Sequence, residues 1–358
     1  MTPEQAPLVL DVLKVFGLSA FAFVVALALT PILTHYLYKY KMWRKSARTT
    51  AADGSGTPIF HEMHKERETS TPRLGGLLIW VTTLVVALLL WALSVATNVE
   101  LFDKLNFLSR NQTWLPLCMF IAAALLGLAD DLFQIYERGS YKGGGIGLTR
   151  RILFIIVIGA IGAWWFYFKL DWRTIYIPFY GNFFIGWWYI PLFVVTTLAT
   201  FSGGVIDGID GLSGGVFASI FTAYAGIAFF RGQFDLATFC AVIAGTILAF
   251  LWFNIPPARF YMSETGTMAL TVALTTVAFL TDSVAVLPII AFLLALETLS
   301  VIIQFSSKRW RGKKVFKVAP IHHHFEASGW PPYKVTMRFW VISIVFAIVG
   351  MVVALIGR

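Results

Sequence analysis

Charge is scarce in this chain and cysteine is almost absent. Charged residues make up 13% of its 358 positions and hydrophobic ones 58%, whereas a soluble domain carries about 25% charge. A water-soluble globule is excluded. The shortage gathers into long runs such as Val9 to Leu33, whose charges are Asp11 and Lys14, and Val335 to Gly357, which holds Arg338 alone. Each is near the length of a bilayer crossing. The two cysteines, Cys118 and Cys240, lie inside apolar runs and give neither a disulfide framework nor a thiolate metal centre. No glycine cluster matches a Walker loop or a dinucleotide fingerprint. No repeat or low-complexity linker divides the chain, so residues 1–358 read as one integral membrane domain.

What is present is a series of apolar stretches. Ten spans are predicted, at roughly 8–37, 74–97, 114–135, 149–168, 186–201, 212–230, 236–254, 267–281, 284–305 and 336–357, giving an all-α polytopic membrane protein. The first is too long for a removable signal peptide and counts as structure. Lysine and arginine then segregate. The regions after spans 1, 3, 5, 7 and 9 hold 21 of the 28, counting Arg150, Arg151 and Arg338 in the first turns of the spans that follow, which by the positive-inside bias makes them cytoplasmic and sends both termini outward. The cytoplasmic loops fall near 38–73, 136–148, 202–211, 255–266 and 306–335. On the outward side, aromatic and β-branched residues around Tyr180-Gly181-Asn182 predict a short hairpin near 175–190, with Trp187, Trp188 and Tyr189 as interfacial belt residues.

An ionised side chain near the membrane needs a partner or a purpose. Asp130 and Asp131 end span 3, Asp207 and Asp210 follow span 5, and Glu264 lies between spans 7 and 8. Taken singly, each acid reads as a solvated helix end. Together they place hard oxygens from three loops on one cationic face, which suits magnesium bridging carboxylates to substrate phosphates. Phosphoryl chemistry follows. The basic loop from Lys308 to Lys317 suits polyanions such as nucleotide diphosphates or lipid phosphates, although anionic headgroups alone also favour basic loops. No nucleic-acid partner is read from it. Glycines at 75–76, 143–145, 203–204 and 214–215 sit beside the acids and permit close backbone approach. His322, His323 and His324, in Ala319-Pro-Ile-His-His-His-Phe-Glu326, do not share one helical face, so a three-histidine zinc site is poor geometry. A loop offering imidazoles to phosphates or to proton transfer fits better.

These residues resemble the phospho-N-acetylmuramoyl-pentapeptide-transferase family, within the polyprenyl-phosphate N-acetylhexosamine-1-phosphate transferases. The resemblance covers nearly the whole chain. It is carried by Thr71-Pro72 before Gly75-Gly76, Asp130-Asp131, Asp207-Gly-Ile-Asp210-Gly-Leu, Phe250-Leu-Trp-Phe-Asn254, and most specifically Pro320 to Glu326 with Gly329-Trp330 and Arg338-Phe-Trp340. It implies transfer of phospho-MurNAc-pentapeptide from UDP-MurNAc-pentapeptide to undecaprenyl phosphate in the bilayer, with UMP released, magnesium required and a homodimer formed. On that resemblance Asp130 is the base or nucleophile and Asp131 supports it, while His322, His323 and His324 position phosphates. Asp207, Asp210, Asn254, Tyr261 and Thr71 line the nucleotide and substrate pocket, and Glu264 and Asp207 hold magnesium.

Four positions depart from the family pattern. Glu264 stands for aspartate, Gly204 and its neighbours for asparagines, Glu68 for a first-loop lysine, and Gln134 for a lysine after the acidic pair. Thr71-Pro-Arg73-Leu-Gly-Gly leans toward the wider superfamily. Three other readings therefore stand beside the main one: a UDP-N-acetylhexosamine-1-phosphate transferase, a non-catalytic homologue and, least favoured, a transporter. An ion path needs acids near the midplane, and among the functional candidates only Glu297, inside span 9, lies there.

Overall fold

The computed structural model describes residues 5–47, 56, 58–109, 112–138 and 145–358. Gly143 and Gly144 of the predicted glycine cluster lie outside them. The chain runs through α1 (Leu8–Lys39), α2 (Pro58–Glu68), α3 (Gly76–Ala96), α4 (Glu100–Leu105), α5 (Trp114–Ile135) and α6 (Leu148–Lys169). A hairpin of β1 (Thr174–Ile177) and β2 (Gly181–Phe184) follows, then α7 (Gly186–Ile206), α8 (Leu212–Phe230), α9 (Phe234–Asn254) and α10 (Ser263–Leu280). After these come α11 (Val284–Ile290), α12 (Phe292–Arg311), α13 (Ile321–Glu326) and α14 (Pro332–Ile356).

Among the described residues nine helices are long and apolar enough to cross a membrane. This is an all-α polytopic membrane protein. The predicted ninth span, 284–305, is not one rod. It is α11 and α12, bent by 77°. Ala291 between them takes φ −99° and ψ 32° and leaves the helical region, while its N–H still donates to Leu287 O at 2.8 Å and its carbonyl accepts from the Ala295 N–H at 3.2 Å. The long arm then continues to Arg311, well past the predicted end.

Burial sorts the helices. The most apolar windows of α8, α9 and α10 are 78, 83 and 94% buried, against 28% for α1, α6 and α14. A helix apolar on every side belongs at the centre, and the rim helices turn their apolar faces outward. The centre is closed by small residues. A Cβ on Gly127 of α5 would stand 2.2 Å from the Glu264 carbonyl oxygen, and one on Gly76 of α3 would stand 2.3 Å from the Gly266 nitrogen. Glycine at these crossings lets α3 and α5 reach the backbone of α10, and that contact fixes where Glu264 begins its helix. Lys14, a charge within the first span, has a partner: its Nζ lies 2.6 Å from Asp235 Oδ1 and donates to the Asn106 carbonyl at 2.9 Å.

The predicted hairpin is present, antiparallel, with Thr174 opposite Phe184. The chain's end is tied to it. Gly357 O accepts from Phe179 N at 2.6 Å and from Tyr176 Oη at 2.8 Å. Trp187 and Trp188 stack beside it and are exposed, but Tyr189, expected with them at the interface, is buried against Phe166 and Phe279.

Candidate active site

Three helix ends and two loops converge at the end of the bundle opposite that hairpin. At the end of α5, Asp130 and Asp131 are both fully buried, and their partners divide their roles. Asp131 is clamped: Oδ1 accepts from Arg73 Nε at 3.2 Å and Nη2 at 3.0 Å, and Oδ2 accepts from the Thr265 N–H at 2.9 Å. Every lone-pair direction that Arg73 and Thr265 use is fixed before a substrate arrives. Asp130 is oriented by Ile146 N–H on Oδ1 at 2.5 Å, and by Gln134 Nε2 at 2.8 Å and Arg151 Nη1 at 3.3 Å on Oδ2.

Arg151 joins two of the acids. It also donates to Glu264 Oε1 at 2.8 Å, so one guanidinium spans Asp130 and Glu264. Glu264 is one methylene longer than the aspartate the resemblance implies, and an arginine meets it. Gln134 stands where the resemblance implies a lysine, and positive charge is still delivered there, since Arg44 donates to its Oε1 while its Nε2 holds Asp130. Arg73 lies within Coulombic reach of Asp131, Glu264 and Asp207. Burial is the largest influence and opposes its charge, but the carboxylates of Asp131, Glu264 and Asp207 together outweigh it and raise the guanidinium above its ordinary range.

The loop after α7 carries Asp207 and Asp210. Asp207 Oδ1 accepts from Ser213 Oγ at 2.7 Å and Oδ2 from the Ser263 N–H at 2.8 Å. Asp210 Oδ2 accepts from the Ala258 N–H at 3.1 Å. Asn254 braces this loop from the end of α9, accepting from Gly211 N–H at 2.9 Å and donating to the Phe260 carbonyl at 2.8 Å. Tyr261 is stitched through its backbone to the segment after Thr71, with its N–H on Pro72 O at 2.9 Å and its carbonyl accepting from Gly75 N at 2.8 Å. Thr71 sits half-buried at that seam.

The three histidines do not act alike in the structure. They begin the short helix α13, where a loop is predicted, and His322 and His323 are buried while His324 is not. His322 and His323 pack against the Asp207-Gly208-Ile209-Asp210 turn. His324 turns away, its Nδ1 accepting from Lys317 N–H at 3.1 Å beside the Phe316 ring. The structure therefore gathers Asp130, Asp131, Asp207, Glu264, His322 and His323, with Asp210 and Asn254 supporting, and sets His324 apart.

Three arginines complete the site. Arg44, Arg73 and Arg151 look in sequence like ordinary positive-inside residues. Arg73 carries the one usable signal, its place in the Thr-Pro-Arg-Leu-Gly-Gly run.

Burial pushes the Asp207 carboxyl up, against the pull of the Ser213 and Ser263 hydrogen bonds. The folded state thus binds this proton more readily than the unfolded chain, so stability is lost as pH rises from the ordinary carboxylate range through the raised value. Asparagine removes that cost and keeps both contacts, because the Ser213 hydroxyl can turn round and accept. The expected result for Asp207→Asn is a higher melting temperature, with a larger gain at pH 7 than at pH 4, alongside lost activity. Thermal unfolding at the two pH values measures it.

The sequence is similar to known proteins. The model of Glycosyl transferase family 4 matches residues 113–282. Phospho-N-acetylmuramoyl-pentapeptide-transferase from Geobacillus thermodenitrificans is 32% identical over 92% of this chain and 95% of its own length. The proteins of the same name from Pelagibacter ubique and Desulforamulus reducens are each 33% identical, covering 94% and 96% of this chain and 91% and 96% of their own lengths. Identity at that level over more than nine-tenths of the chain shows the family: the chain belongs to the phospho-N-acetylmuramoyl-pentapeptide-transferase family.

Proposed function

We propose that this enzyme transfers phospho-MurNAc-pentapeptide from UDP-MurNAc-pentapeptide to undecaprenyl phosphate, forming lipid I and releasing UMP in peptidoglycan synthesis. One observation carries the reading. Asp130, Asp131, Asp207 and Glu264, drawn from three helix ends, meet around Arg73 and Arg151 in a chain collinear with transferases of that name.

The division among the acids supports a sequence of roles. Asp131, held by Arg73 and Thr265, shapes the site and does not leave its partners. Asp130 faces the reacting groups, either taking the proton of the lipid phosphate or attacking the donor diphosphate itself. Arg73 and Arg151 supply donors in a rigid fork that suits phosphate oxygens, so the diphosphate of the donor draws on the same cations that hold the acids. His322 and His323 address phosphates from the far side of the Asp207 loop, and His324, which faces the basic loop, has no part in that contact. Asp210, Asn254, Tyr261 and Thr71 shape the nucleotide pocket.

The donor set fits magnesium. Among the described residues no three His, Cys, Asp or Glu side chains form a cage, and magnesium is typically held by one or two carboxylates plus waters and substrate phosphates. Glu264 and Asp207 would hold it, Glu264 through the oxygen not engaged by Arg151. Bound there, magnesium supplies neutralisation of the diphosphate charge. Losing an outer-shell partner alone costs about 10–100-fold in metal affinity, so Glu264→Ala is expected to raise the magnesium needed for half-maximal rate by at least roughly 10-fold, with Glu264→Asp tolerated. An unchanged magnesium titration for Glu264→Ala removes it from the ligand set.

We place the acid face at the cytoplasmic surface of the bacterial inner membrane, with the hairpin and C-terminus outward, on the charge bias of the loops. The assembly is proposed to be a homodimer. Both rest on the family and the sequence, and protease accessibility in oriented vesicles tests the first.

A further inference from the structure

Two imidazoles meet the Asp207–Asp210 turn through the same atom. A Cβ built on Gly208 would stand 2.1 Å from His322 Nε2 and 2.9 Å from His323 Nε2, so both Nε2 atoms press on the backbone of that turn. Their Nδ1 atoms point to carboxylates. His322 Nδ1 is 3.0 Å from Glu297 Oε2, and His323 Nδ1 is 2.5 Å from Glu326 Oε2. The two pairs differ in origin. Glu326 belongs to the same short helix as His323, whereas Glu297 comes from α12, the long arm of the broken ninth span, and shares full burial with His322, each side chain being 0% exposed.

A carboxylate buried inside an apolar helix bundle is expensive unless something there uses it. Neither oxygen of Glu297 has an aligned hydrogen bond, and neither nitrogen of His322 has one. The 3.0 Å approach of Nδ1 to Oε2 brings the two groups together. The bend at Ala291 has a consequence here: it swings α12 so that position 297 reaches α13.

We infer that Glu297 is a positioning residue for His322. Its carboxylate occupies Nδ1, fixes the ring and its tautomer, and leaves Nε2 as the nitrogen that addresses an anionic oxygen of the substrate at the Asp207–Asp210 turn. The logic is that of any carboxylate behind a working histidine, and it gives a use to an acid fully buried within the broken ninth span. The inference rests on the transferase reading of this site, but its first test does not.

That test is nitrogen NMR of the full-length protein labelled on histidine, in detergent, with His322→Asn assigning the signal. The expected result is an imidazole whose proton sits on Nδ1. A His322 signal protonated on Nε2 alone overturns the inference, whatever the variants do. The second test is kinetic. Glu297→Gln, nearly isosteric, is expected to lower kcat by about 10–100-fold with donor KM unchanged, and Glu297→Gln/His322→Ala to be no slower than His322→Ala alone. Wild-type turnover by Glu297→Gln, or losses that multiply in the double variant, overturn it. If wild-type protein releases no UMP, the transferase reading fails while the imidazole signal still judges the pair.

Discussion

Asp130→Asn leaves a folded, membrane-inserted protein that has lost UMP release. The substitution keeps the shape and the contact with the Ile146 N–H, which an amide oxygen accepts as well as a carboxylate does. What disappears is the basic, nucleophilic oxygen, and with it the acceptor for Gln134 Nε2 and Arg151 Nη1. The size of the loss separates the two routes. Removing a general base costs typically about 10²–10⁴-fold in rate, whereas removing a covalent nucleophile costs on the order of 10⁶-fold. A residual rate about 10³-fold down therefore assigns Asp130 as the base for the lipid phosphate. A loss beyond roughly 10⁵-fold points to attack by Asp130 itself, between those two ranges. Normal turnover by a folded Asp130→Asn protein takes the residue out of the mechanism.

Arg73→Ala is expected to destabilise the protein strongly, through Asp131. Arg73 supplies two of the three hydrogen bonds to a carboxylate with no solvent exposure. Breaking a buried pair from one side strands the other charge and costs about 3–5 kcal/mol. Adding Asp131→Asn to Arg73→Ala removes the stranded charge and is expected to recover much of that loss, because the remaining contact, Thr265 N–H, needs only an acceptor. The check is thermal unfolding of both single variants and the double variant in one detergent. If Arg73→Ala melts with the wild type, or the double variant melts no higher than Arg73→Ala, the clamp described here is not what stabilises the end of α5.

The spans were legible because the bilayer demands about 20 apolar residues at a stretch, and few other pressures produce such runs. The bend at Ala291 was not. Residues 284–305 stay apolar through it, and a break in backbone angles leaves no mark on hydropathy. Nor was α13, since six residues are too few to show a 3.6-residue period. The acids of the site stood out because a carboxylate at a span end needs a reason. Their cationic partners did not, because Arg44 and Arg151 sit where positive-inside topology already puts arginine. That Arg151 spans Asp130 and Glu264, or that Arg44 supplies charge through Gln134, depends on which helix ends meet, and a single sequence does not state it. His324 illustrates the same limit: in sequence it is equivalent to its two neighbours, and only the helix of α13 turns it away from them.

The central claim is tested most directly by UMP release from the purified, folded protein given UDP-MurNAc-pentapeptide and undecaprenyl phosphate, with magnesium and with chelator, and with UDP-GlcNAc as the rival donor. The account predicts release with the muramoyl donor and magnesium, and none with UDP-GlcNAc or after chelation. Release with UDP-GlcNAc alone, or silence with both donors, contradicts it.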